Sequence, residues 1–136
     1  MVRKALNILI VDDDQDDKDF ITDTILKQAP NANVQGLESG AEALDYFSIV
    51  SPMNFPDLII LDYNMPRMNG LETLDKIASV EMIRSIPIAV VSTANERIYR
   101  RECLAHGAIR YFEKPSDMAH WGHIVEELLE LVSPVL

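Results

Sequence analysis

Apolar residues along this chain fall into two alternating rhythms. Short unbroken aliphatic runs occupy Leu6–Val11, Leu58–Leu61, Ile86–Val91 and Ile109–Phe112. Runs of that length suit strands buried on both faces of a sheet. Asn33–Leu37 is a fifth, more polar run and predicts a strand near an edge. Between the runs the spacing changes. Phe20, Ile21, Thr24, Ile25 and Gln28 follow a helical pattern that Pro30 stops. Ala41–Ile49 follows Ser39, a good capping residue. Leu71, Leu74, Ile77 and Ala78 mark another apolar face, and Glu96–Ala105 runs toward Gly107, a residue suited to a helix C-terminus. Asp117–Val132 predicts the last helix, capped by Ser116 or Asp117, with Trp121, Ile124, Val125, Leu128 and Val132 toward the sheet. Leu131, Val135 and Leu136 are left over, a candidate homodimer contact.

Alternation of strand and helix through the chain implies a parallel sheet with helices on both faces. Five strands fit a flavodoxin-like, doubly wound α/β sheet of order 2-1-3-4-5, formed as one domain over residues 1–136. In such sheets functional groups gather outside the carboxyl ends of the strands, where strand order reverses. The polar residues fall there. Strand one ends in Asp12-Asp13-Asp14, strand three in Asp62, strand four in Ser92-Thr93 and strand five in Lys114-Pro115.

Composition removes several alternatives. A hydrophobic content of 48% over 136 residues supports a real core and argues against disorder. A net charge of -10 would repel a phosphate backbone, so nucleic acid is not an expected partner. No apolar run approaches the roughly 20 residues of a membrane span, and Met1–Leu6 does not form a signal peptide. The lone Cys103 cannot form an internal disulfide, which points to a reducing cytoplasm and a packing role. His120 and His123, one helical turn apart, read as surface residues rather than metal ligands.

Three carboxylates brought together at strand ends repel one another, and a hard cation relieves the strain. Oxygen ligands with room for water suit Mg²⁺. A cation and a lysine beside a carboxylate can hold the oxygens of a transferring phosphoryl group while the carboxylate attacks phosphorus.

Four stretches carry a resemblance: Ile8–Asp14, Leu61–Gly70, Val91–Ala94 and Tyr111–Pro115. In order and at element ends, they resemble the bacterial response-regulator receiver family from Leu6 to about Leu131. The resemblance implies a phosphorylation switch of a two-component system, not an enzyme acting on a separate substrate. It makes Asp62 the phosphoryl acceptor and Asp13 a direct Mg²⁺ ligand, with Asp12 often acting through water. It implies that the Asn64 backbone carbonyl completes the metal site. Lys114 matches the phosphoryl-binding lysine, Ser92 the switch hydroxyl and Tyr111 the switch aromatic, which swings from exposed to buried. Lys114-Pro115 resembles the family's usual cis peptide. Many receivers carry Phe after that pair, where this chain has Ser116-Asp117. Ala94 leaves the site mouth open.

Implied partners are a sensor histidine kinase and either a downstream protein, reached through helix four, strand five and helix five, or a phosphotransfer protein in a relay. With no output domain expected after helix five, the type is single-domain, chemotaxis-regulator-like or phytochrome-kinase-associated. Two other classes compete. An aspartate-nucleophile phosphatase needs a second acid two residues after the nucleophile, where this chain has Asn64. An FMN carrier needs a phosphate-binding loop after strand one, where Asp12–Asp17 repels phosphate.

Overall fold

The structure is a computed structural model that describes residues 5–93 and 96–132. Ala94, Val135 and Leu136, which the sequence reading invoked, lie outside the described residues, as do the first four residues of the Met1–Leu6 segment. Five strands, β1 (Asn7–Val11), β2 (Asn33–Leu37), β3 (Leu58–Leu61), β4 (Ile88–Ser92) and β5 (Arg110–Glu113), form one parallel sheet of order β2-β1-β3-β4-β5. Five helices connect or follow them: α1 (Gln15–Gln28), α2 (Gly40–Ile49), α3 (Gly70–Ala78), α4 (Arg97–Ala105) and α5 (Trp121–Glu130). This is the flavodoxin-like, doubly wound arrangement expected from the alternation.

Successive strand residues face opposite sides of the sheet, so each strand feeds two cores. Leu9, Val11, Ile59, Leu61, Val90 and Tyr111 pack beneath α2, α3 and α4 with Leu74, Ile77 and Cys103. Ile8, Ile10, Leu58, Ile60, Ala89, Val91 and Phe112 pack against α1 and α5 with Ile21, Ile25, Trp121, Val125 and Leu128. Every residue of β3 and β4 is buried, which explains their unbroken apolar sequences. Asn33–Leu37 is an edge strand with a half-exposed pattern.

Boundaries shift where local chemistry intervenes. The fourth strand begins at Ile88 rather than Ile86, because Pro87 has no N–H and contributes only its carbonyl, to Ile59 N at 2.9 Å. The fifth begins at Arg110, leaving Ile109 half-exposed. Asp117 caps as expected, but it caps a 3-10 turn, Met118–His120, that leads into α5 at Trp121. Ala78 is exposed, so α3 docks through Thr73, Leu74 and Ile77. Leu131 is not left over: it packs against the α1–α5 core. Gly107 has φ +114°, the left-handed conformation that closes α4.

Register aligns the strand ends. Val11 pairs with Leu61, Leu61 with Val90, and Ser92 with Glu113. The hydrogen-bond ladder then runs one residue further. Asp12 N donates to Leu37 O at 3.0 Å, Asp62 N to Val11 O at 2.9 Å, and Lys114 N to Ser92 O at 2.8 Å. The polar residues that follow the strands are therefore clamped to the sheet rather than set on free loops.

Candidate functional site

Beyond the ladder, β1, β3 and β5 deliver Asp12, Asp62 and Lys114 to one point. Lys114 Nζ lies 2.8 Å from Asp12 Oδ2 and 3.5 Å from Asp62 Oδ2. Only 6% of the Lys114 side chain is exposed. Asp12 and Asp62 are buried, while Asp13 is exposed at the mouth. Carboxylate oxygens of Asp12, Asp13 and Asp62 all lie within 4.8 Å of one another. That spacing admits a hard cation with oxygen ligands at about 2.1 Å after small side-chain adjustments.

Electrostatics favour such an occupant. Burial, reinforced by the charge of Asp62, pushes the Asp12 carboxyl up to about 6. Burial also raises Asp62, against the pull of Lys114 and of hydrogen bonds from Ser92 and Asn64. Burial alone would draw Lys114 toward its neutral form, but the bonds to Asp12 and Asp17, with the charge of Asp62, outweigh it and raise its pKa above the usual lysine range. The carboxylates thus hold more negative charge than one ammonium offsets.

Each polar residue has a definite local support. Asp12 Oδ1 accepts from Asp14 N at 2.9 Å, and Asp14 Oδ1 caps α1 by accepting from Asp17 N at 3.0 Å. Asn64 N donates to Asp62 Oδ1 at 3.4 Å, and Asn64 Nδ2 reaches Thr93 Oγ1 at 3.4 Å. Ser92 is fully buried and hydrogen-bonds with both Asp62 and Tyr111. Tyr111 is 4% exposed, and burial pushes its phenol up to about 12. Its ring therefore lies inward in this structure. The acidic groups and Lys114 gather on the α1 side, whereas Ser92 and Tyr111 lie toward α4, where Cys103 adjoins Tyr111. Asp62 touches both groups.

Three contributors escaped the sequence reading. Asp17 binds Lys114 Nζ through Oδ2 at 2.8 Å. It lies four and eight residues before the buried Ile21 and Ile25, on the inward stripe of α1, and that spacing was the available signal. Gly70 permits α3 to begin against the loop that carries Asp62: a Cβ there would meet Asp62 O at 2.6 Å and Tyr63 Cα at 2.8 Å. Tyr63 stacks on Tyr99 of α4 with ring centroids 4.6 Å apart. One expectation needs correction. No described peptide bond is cis, so Lys114-Pro115 is trans, the isomer ordinarily favoured for X-Pro bonds by about 0.5–1 kcal/mol. His120 is exposed, as expected, and its Nδ1 lies 2.7 Å from Asp117 Oδ1.

Residues 8–126 match the family described as the response regulator receiver domain. The chain belongs to that family. Receivers of this family are signalling domains of two-component systems, phosphorylated on aspartate, and work with histidine kinases and downstream partners. Among curated relatives, two-component response regulator ARR17 of Arabidopsis thaliana is 31% identical, over 84% of this chain and 78% of that protein. Response regulator ARR5 of the same plant is 32% identical, over 93% and 72%. The phosphorylated cyanobacterial phytochrome response regulator RcpA superposes with a TM-score of 0.85 at 25% identity, covering 95% of this chain and 94% of that one. The Mn²⁺-bound form of response regulator Rcp1 shares the fold, with a TM-score of 0.82 at 21% identity over 96% and 97% of the two chains. No helix among the described residues is long and apolar enough to cross a membrane.

Proposed function

We propose that this receiver accepts a phosphoryl group on Asp62 from a sensor histidine kinase and transmits it as a conformational signal. One observation carries the assignment. Of the three clustered carboxylates, Asp62 alone touches both Lys114 and Ser92. Its oxygen forms the new P–O bond as the P–N bond of a phosphohistidine breaks, and the departing imidazole keeps the electron pair. Lys114 binds a phosphoryl oxygen, and Ser92 donates to another. Asp12, Asp13, Asp62 and the Asn64 carbonyl would hold Mg²⁺. Bound there, the cation neutralises charge between the carboxylate and the incoming oxygens.

Phosphorylation adds nearly two charges and three acceptor oxygens. Drawing Ser92 toward them shifts its bond with Tyr111 and biases the α4–β5–α5 surface between two states. That surface then meets a downstream protein, or the phosphate passes to a phosphotransfer protein. We extend the proposal to a receiver of the bacterial, phytochrome-kinase-associated type. The likeness to RcpA supports that extension, whereas the curated relatives above are plant proteins.

The test is labelling by acetyl phosphate with Mg²⁺, with the acceptor mapped by mass spectrometry. Asp62→Asn is expected to abolish labelling. Undiminished labelling of that variant would move the acceptor elsewhere.

A further inference from the structure

An ammonium has three N–H donors. In Lys114, Oδ2 of Asp12 and Oδ2 of Asp17 each lie 2.8 Å from Nζ, and Oδ2 of Asp62 lies at 3.5 Å. The two short partners differ in kind. Asp12 belongs to the carboxylate cluster suited to a cation, and Asp17 does not. A cation at the cluster competes with Lys114 for Asp12 but not for Asp17, which lies outside that cluster. Asp17 is also rigidly mounted. It occupies the third position of α1, with its own N–H held by the Asp14 cap at 3.0 Å. Its side chain is one-quarter exposed, beside a lysine side chain that is nearly buried.

Resting on the reading of Asp62 as acceptor, we propose that Asp17 is a positioning residue for phosphoryl transfer. It anchors the Lys114 ammonium, so that one N–H stays aimed at Asp62 after Asp12 turns toward the cation. Lysine is a long flexible stem with a freely rotating head. Held by Asp12 alone, the ammonium would follow Asp12 as that carboxylate moves. Held by a helix as well, it keeps its place relative to the acceptor, and the developing phosphoryl charge meets a donor already oriented.

Three proteins test this: wild type, Asp17→Asn and Asp16→Ala. Asn keeps the shape of Asp17 but loses its charge. Asp16 shares the first-turn position, and hence the favourable interaction with the helix dipole, without touching Lys114. The readouts are the initial rate of Asp62 labelling by acetyl phosphate at saturating Mg²⁺, the half-saturating Mg²⁺ concentration, and the nitrogen-15 NMR signal of the Lys114 ammonium. In Asp17→Asn the saturated rate is expected to fall about tenfold, the equivalent of one charge-assisted hydrogen bond lost from the transition state. The half-saturating Mg²⁺ concentration should move far less than the rate, and the ammonium signal should broaden. Asp16→Ala should keep both the rate and the signal. A wild-type rate with an intact ammonium signal in Asp17→Asn would overturn the role of Asp17 and leave Asp62 as acceptor. Equal slowing in Asp16→Ala would also overturn it, by reducing Asp17 to helix-start charge. If wild type itself takes label away from Asp62, the acceptor reading fails first.

Discussion

At the scale of the residue, the site depends on an absent side chain as much as on charged ones. Any Cβ at Gly70 would overlap the backbone of Asp62 and Tyr63, and backbone atoms cannot rotate aside. Gly70→Ala is therefore expected to destabilise the protein by about 2 kcal/mol, read as a lower urea midpoint with an unchanged slope. Labelling of Asp62 should slow as well, because the overlap displaces the proposed acceptor itself; an unchanged midpoint would show that α3 can shift freely. Asp12, Asp13, Asp62, Ser92 and Lys114 were legible in the sequence because polar residues close apolar runs, whereas Tyr111, inside its run, stood out only through the family resemblance. Asp17 was not legible. In a run of six acids among eight residues, residue type no longer distinguishes one carboxylate from another. Its partner lies 97 positions away, just beyond the end of β5, and meets it only where the long Lys114 side chain reaches the first turn of α1.

At the scale of the element, α4 has the lightest attachment. Cys103 is its one buried residue among those described, and Arg97–Ala105 is otherwise mostly polar. Two further ties hold it: the stack of Tyr99 on Tyr63, and a hydrogen bond between His106 Nδ1 and Asp75 Oδ1 at 2.7 Å. Tyr63 directly follows Asp62, the proposed acceptor, so the stack joins the site to the helix without passing through Ser92. An aromatic pair contributes about 1 kcal/mol beyond its buried area. Tyr99→Leu is expected to speed amide exchange across α4 by roughly fivefold while leaving β1 and β3 protected. Uniform acceleration would mean that α4 opens only with the whole fold. The strands themselves were readable from aliphatic runs, and the edge position of β2 from its polarity. Pro87 and the 3-10 turn before α5 moved boundaries because they alter hydrogen bonding without altering hydrophobic spacing.

At the scale of the whole molecule, a strongly acidic chain concentrates part of its excess charge at one rim. Asp12 titrates near 6 instead of 3.8, mainly because it is buried and also because Asp62 is close. A carboxyl whose folded pKa is raised binds its proton more tightly in the fold. Stability from this group is thus present at low pH and lost as pH rises between about 4 and 6. Metal reverses the sign, since it binds the ionised form. At a Mg²⁺ concentration of 100 times its dissociation constant, the stabilisation is about 2.7 kcal/mol. Calorimetry should show a rise in Tm of roughly 8 °C at neutral pH and a smaller one at pH 5. Equal shifts at both would mean that Asp12 is not among the groups the cation requires. The topology and both cores were implied by alternation alone, but which side chains met across the rim depended on register. That register has a consequence for how the sequence can change. Helices and loops here can gain or lose residues at the surface, but β1 and β3 cannot. Deleting one residue from Leu58–Leu61 would turn Asp62 to the other side of the sheet, away from Lys114, and exchange the two interiors residue for residue. Strand length is in this sense part of the signalling apparatus, fixed by parity before any charge is chosen.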